Sequence, residues 1–126
     1  MKEMMLVGLG GGLGAMTRFG VGRAVMGAGF AGLPVVTFVV NILGCLGLGL
    51  LVGWMATRGQ ALQGPAWAFF AVGLCGGMTT FSTFAFELWR AADSGRLGMG
   101  LGYLLASVGL GVLAVWAGYS LARGAV

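Results

Sequence analysis

Charged side chains cut the sequence into long apolar stretches. None occurs between Arg23 and Arg58, between Arg58 and Glu87, or between Arg96 and Arg123. Each stretch is longer than the roughly 20 residues that a helix needs to cross a bilayer. The segment from Met4 to about Met26 carries Arg18 and Arg23 only toward its end, where long cationic side chains reach the headgroups. The pattern predicts a single four-helix domain over residues 1–126, with membrane-spanning helices at about 4–26, 33–55, 65–90 and 97–122. Turn signals separate them: Gly27 to Gly32 before Pro34, Thr57 to Gly64 before Pro65, and Asp93 to Gly95. Connections this short make neighbouring helices antiparallel.

Composition agrees with a bilayer as the solvent. Hydrophobic residues make up 59% of the chain and charged residues 8%, against about a quarter charged in soluble domains. The formal charge of +4 comes from cations scattered at helix ends, which act as headgroup anchors and form no basic stripe for nucleic acid. Cys45 and Cys75 lie in apolar spans and read as small buried residues, and without histidine a metal site of the His/Cys type has little to work with. No soluble domain follows the first apolar segment, so a cleaved leader is not expected. Gly10, Gly12 and Ala15 fit a dinucleotide fingerprint, but no acidic residue between Glu3 and Glu87 is available for a ribose.

Glycine occupies 27 positions and recurs four apart, as in Gly8 and Gly12, Gly10 and Gly14, Gly49 and Gly53, and Gly98 and Gly102. In lipid this spacing allows close helix packing. Four thin helices enclose little space, which favours an oligomer. Lys2, Arg58 and Arg123 lie on the side of the termini, against Arg23, Arg90 and Arg96 opposite, with Arg18 deeper in the first helix. Such balance gives no orientation bias. Dual insertion and antiparallel pairing of two copies are therefore expected.

The third span contains the one polar interruption, Gly76-Gly77-Met78-Thr79-Thr80-Phe81-Ser82-Thr83-Phe84, near its middle. Paired glycines beside paired threonines are poor helix interior. A helix broken there offers free carbonyls to a cation and free amides to an anion; the alternative is a kink that serves packing alone. In an antiparallel pair the two breaks meet at the symmetry axis, where their carbonyls suit a shared monovalent cation. Phe81 and Phe84, three apart, face the same way. Their ring edges can receive an anion, or the pair is core and lipid contact. Asn41, with Thr37 one turn before it, either offers donors to an anion or ties helices together. Tyr103 and Ser107 form a second polar pair on the fourth helix. Glu87 with Arg90 reads as an ion pair, and Arg18 as a snorkelling side chain or a source of positive potential at a pore mouth.

Along nearly its whole length the chain resembles the Fluc fluoride channels, or CrcB proteins. Gly14-Ala15-Met16-Thr17-Arg18-Phe19 is similar to the family's first-helix motif, Thr37-Phe38-Val39-Val40-Asn41 to its T-L-x-V-N, and Gly76 to Phe84 to its G-G-x-T-T-F-S-T-F. The last motif is the specific one. The resemblance implies an all-α, dual-topology homodimer in the inner (plasma) membrane that passively exports cytoplasmic fluoride through two pores, and not an enzyme. It further implies a central structural sodium ion on the carbonyls of Gly76 and Thr79, with Asn41, Phe81 and Phe84 in the pore and a Ser82 or Thr83 hydroxyl nearby. Thr37 stands in the second-helix motif, Arg18 at the vestibule, and Tyr103 and Ser107 on a polar track. The chain departs from the pattern at Gly111, where a second serine of that track can occur, and at Val36, which replaces the glycine usual before Thr37.

Two other classes fit the size. Small four-helix exporters of cationic compounds couple to protons through a glutamate within the first helix, and that helix interior has none here. A structural subunit of a larger complex accounts for the glycines but not for Asn41 and the hydroxyl-rich interruption.

Overall fold

The structure, a computed structural model, describes residues 1–29 and 34–124. The start expected for the second helix at Leu33, and the end of the first turn at Gly32, lie outside the described residues. All of the regular structure among the described residues is helical. Helix α1 covers Lys2–Gly27 and α2 covers Val35–Thr57. The third span begins with α3 (Gly64–Ala66), runs through a π-helical stretch (Trp67–Cys75) into α4 (Gly76–Met78), and resumes as α5 (Phe81–Asp93). Helix α6 (Leu97–Gly124) is the fourth span. Among the described residues four helical segments, the third being Gly64–Asp93 with its interruption, are long and apolar enough to cross a membrane. In the most apolar part of each, at most 22% of the residues are buried within the protein, so most of them keep a face turned outward. In water that surface would be untenable; in lipid it is the solvent-facing side.

The packing has two seams, α1 against the third span and α2 against α6. Glycine makes both possible. A Cβ at Gly14 would stand 2.7 Å from the Met78 nitrogen and 3.0 Å from the Gly77 carbonyl carbon, both main-chain atoms. At Gly49 it would meet the Val115 carbonyl carbon at 2.9 Å, and at Gly53 the Tyr119 Cα at 3.1 Å. Backbones in such proximity gain dispersion contacts that any side chain would prevent. Two of the four glycine pairs lie elsewhere: Gly8, Gly12, Gly98 and Gly102 have nothing within 4 Å of a virtual Cβ. Between α5 and α6 the turn closes at Gly95, whose φ of 70° favours glycine.

The break in the third span falls two residues beyond the glycines. Gly76 and Gly77 are helical, whereas Thr79 (φ −80°, ψ 161°) and Thr80 (φ −151°, ψ 118°) are extended. The weak helix propensity of the glycines is therefore not what sets its position. Gly77 is small because α1 lies against it: a Cβ there would come within 2.8 Å of the Gly11 Cα. The threonines break the helix because their polar groups find partners outside it.

Candidate functional site

Extended backbone points the N–H and C=O of one residue to the same side. Thr80 presents both to α2, and the Asn41 carboxamide takes both. The Thr80 amide donates to Asn41 Oδ1 at 2.8 Å, and Asn41 Nδ2 donates to the Thr80 carbonyl at 3.3 Å. A side chain thus does for the interruption what a neighbouring strand would do. The Thr79 carbonyl accepts from Arg18 Nη1 at 3.2 Å. Beyond the break, Thr80 Oγ1 accepts from the Thr83 amide at 3.3 Å and donates to Thr83 Oγ1 at 3.1 Å, so Thr80 is the N-cap of α5. Its hydroxyl also lies 3.3 Å from Ser82 Oγ. Every polar group of the Thr80 peptide that a low-dielectric environment would penalise is paired.

These residues border a cavity of about 430 Å³ between α2, the break and α6, walled by Asn41, Thr79, Phe81, Phe84 and Ser107 among others. An asparagine amide has two donors and the Thr80 carbonyl uses one, which leaves a second for the cavity. Ser107 Oγ is buried with no hydrogen-bond partner among the described residues. Phe84 is 7% exposed and Phe81 80%; their ring centroids are 6.2 Å apart, tilted by 52°. Phe84 also meets the Tyr103 ring edge-on at 5.1 Å. Neutral donors and aromatic rings, with no cation, make a wall that can receive an anion without trapping it.

The pairing of Thr37 and Tyr103 was not anticipated. Thr37, 3% exposed, donates its hydroxyl to Glu87 Oε1 at 2.8 Å, and the Tyr103 hydroxyl donates to Glu87 Oε2 at 2.9 Å. Sequence reasoning assigned Glu87 to an ion pair with Arg90, but both carboxylate oxygens face α2 and α6, while the Arg90 guanidinium lies 6.0 Å over the Phe86 ring. The signal for Glu87 was available, since it is the sole carboxylate between Glu3 and Asp93 and stands within a span. The N-cap role of Thr80 is not among the sequence-based expectations, which take the glycines and threonines together as poor helix interior.

For a cation, the fit can be judged from the carbonyls. The Thr80 amide serves Asn41 and not the Gly76 carbonyl four residues back, so the Gly76 oxygen lacks its helical donor and is suited to a monovalent cation. The Thr79 oxygen keeps a lone pair beside the one that Arg18 occupies. Among the described residues no three His, Cys, Asp or Glu side chains cluster as a metal site, so main-chain oxygens are the donors that remain.

Fold and site together define a multi-pass membrane protein whose third span is interrupted around uncharged polar groups. The chain matches the family described as CrcB-like protein, Camphor Resistance (CrcB), over residues 5–119. It belongs to that family. It is 42% identical over 125 residues to a fluoride-specific ion channel FluC of Paracoccus denitrificans, covering 98% of both chains. To the protein of the same name from Azobacteroides pseudotrichonymphae it is 39% identical, covering 96% of each chain. The Thermus thermophilus relative, also so named, is 40% identical over 96% of this chain and 95% of its own. These relatives are channels, and the family is not one of enzymes.

Proposed function

We propose that the protein is a fluoride-selective passive channel that relieves the cytoplasm of fluoride. The observation that carries this reading is the cavity at the break, where the spare Asn41 donor, the partnerless Ser107 hydroxyl and the Phe81 and Phe84 rings meet with no cationic side chain in the wall. A small, strongly hydrated anion can exchange water for such donors and still leave. The FluC names of relatives about 40% identical over nearly the whole chain support fluoride as that anion. A proton-coupled exporter of cations would need a carboxylate in the interior of the first helix, whose one acidic residue, Glu3, lies in its first turn. Liposomes carrying the purified protein are expected to release fluoride, with chloride release at least about 100-fold slower, a difference of about 3 kcal/mol in barrier. Equal rates, or no fluoride release, refute the proposal.

Two antiparallel copies complete the pathway in this reading. Phe81, 80% exposed on the single chain, then gains a protein surface. Two pores per dimer follow from the symmetry. The carbonyls of Gly76 and Thr79 from both copies would hold a central sodium ion in the inner membrane, where its charge offsets converging helix ends. The expected results are a dimer in detergent that dissociates when sodium is exchanged for N-methylglucamine, and a cysteine at Lys2 that reacts from both faces of the membrane. A monomer even in sodium refutes the pairing, indifference to sodium refutes the ion, and one-sided labelling refutes dual insertion.

A further inference from the structure

Asn41 holds the peptide of Thr80, but Thr79, the residue before it in the break, is held by its side chain. The Thr79 hydroxyl donates to the Cys75 carbonyl at 2.9 Å, and the Thr79 amide donates to the same oxygen at 2.9 Å. With the hydroxyl fixed, staggering about the Cα–Cβ bond leaves the Thr79 methyl one direction. That direction is α2, where the buried Gly44 follows Asn41 by three residues and shares its face. Both line the cavity of about 430 Å³.

Gly44 is a notch for that methyl. A Cβ at Gly44 would overlap Thr79 Cγ2, and the next atoms it would meet are Met78 Cε at 3.6 Å and Thr79 Cβ at 3.7 Å. All three belong to side chains, whereas at Gly14 and Gly49 the obstacles are main chain. Close helix packing is therefore not what demands glycine here; a single methyl group is.

A side chain at 44 would leave Thr79 poor escapes. Of its two other staggered positions, one turns the hydroxyl into the filled notch. The other clears the notch but sets the methyl against the Cys75 carbonyl and breaks the hydroxyl's bond. Moving the main chain instead displaces the Thr79 carbonyl, which accepts from Arg18 at 3.2 Å, and the Thr80 amide, which donates to Asn41 at 2.8 Å. Every escape disturbs the polar frame of the break.

Building on the fluoride-channel reading, we propose that Gly44 is a positioning residue of the pathway: its missing side chain seats the Thr79 methyl, and the seated methyl aims the Thr79 carbonyl. Asn41 and Gly44 form a two-point mount on one face of α2, the carboxamide for Thr80 and the notch for Thr79. The mount fixes the direction in which α5 leaves the break, and with it the placement of Phe81 and Phe84 on the cavity wall.

The test is a double-mutant cycle read as fluoride flux per folded channel in liposomes. Gly44→Ala adds one methyl group and is expected to lower flux about tenfold or more, equivalent to about 1.4 kcal/mol in barrier. Thr79→Ser removes Cγ2 and keeps the hydroxyl for Cys75. Gly44→Ala made in Thr79→Ser should therefore stay within about twofold of Thr79→Ser alone. An equal loss on both backgrounds overturns the seat, and so does wild-type flux in Gly44→Ala. Loss of folded protein with undiminished flux per folded channel makes Gly44 a packing residue and overturns its positioning role. If Gly44→Ala yields no folded protein, the comparison in Thr79→Ser decides: preserved flux supports the seat, and a loss of about tenfold overturns it. Wild-type liposomes that pass no fluoride refute the channel reading and the role of Gly44 with it. Wild-type flux with uncoupled variants refutes that role alone.

Discussion

Asn41→Leu is expected to abolish fluoride flux, lowering it by about 100-fold or more in reconstituted liposomes. The side chain is nearly the same size, so the change removes little packing. What it removes are both partners of the Thr80 peptide, at 2.8 and 3.3 Å. Each unpaired group costs about 1–3 kcal/mol where water is excluded, and the chain can escape that cost by closing the helix through Thr79 and Thr80. Closure returns the Thr80 amide to the Gly76 carbonyl, removes the N-cap of α5, and rotates Phe81 and Phe84 away from the cavity. Asn41→Asp separates this effect from a loss of direct contact with the anion. Aspartate still accepts from the Thr80 amide but cannot donate to its carbonyl, and it sets a negative charge beside the pathway. It should keep the melting temperature within a few degrees of wild type while flux falls, whereas Asn41→Leu should lower both. Wild-type flux in Asn41→Leu would mean that the break is held by something other than the carboxamide.

The dual part played by Asn41 shows where sequence reasoning succeeds and where it stops. Charge-free stretches bounded by arginines predict the spans because the cost of burying charge in lipid is large and local. The motif from Gly76 to Phe84 marks the interruption for a similar reason, being polar where the rest is apolar. Which residue breaks the helix is a tertiary matter. Gly76 and Gly77 have the weak propensity, yet they stay helical because α1 packs on them, and Thr80 departs because Asn41, 39 residues earlier, receives its peptide. Glu87 was misassigned in the same way: Arg90 is its neighbour along the helix, but Thr37 and Tyr103, 50 and 16 residues away, are its neighbours in space. Periodicity places a side chain on a face; it does not say what that face meets. The glycine pairs make the point most plainly, since one spacing serves Gly10 and Gly14 at a backbone seam and Gly98 and Gly102 on an open surface.

That contrast yields the second large effect. Gly14→Val is expected to prevent accumulation of folded protein, while Gly98→Ala leaves it unchanged or raises its stability by up to about 1 kcal/mol through helix propensity. At Gly14 the obstacle is main chain: the Met78 nitrogen at 2.7 Å and the Gly77 carbonyl carbon at 3.0 Å from a virtual Cβ cannot rotate aside. Overpacking ordinarily costs about 1–3 kcal/mol, and a branched side chain against two helical backbones reaches or exceeds the top of that range. The yield of folded protein in detergent distinguishes the two variants, and equal yields with equal melting temperatures would disprove the close approach of α1 to α4. The smaller change Gly14→Ala is the more informative about function. Arg18 stands one turn beyond Gly14 on the same face of α1, and its guanidinium reaches the Thr79 carbonyl at 3.2 Å because the helices are in near-contact there. Parting the seam by part of a methyl diameter stretches that bond beyond hydrogen-bonding range before it unfolds the helix pair. Flux in Gly14→Ala should therefore fall by a larger factor than its modest loss of melting temperature suggests, because the seam positions the break as well as holding the fold together.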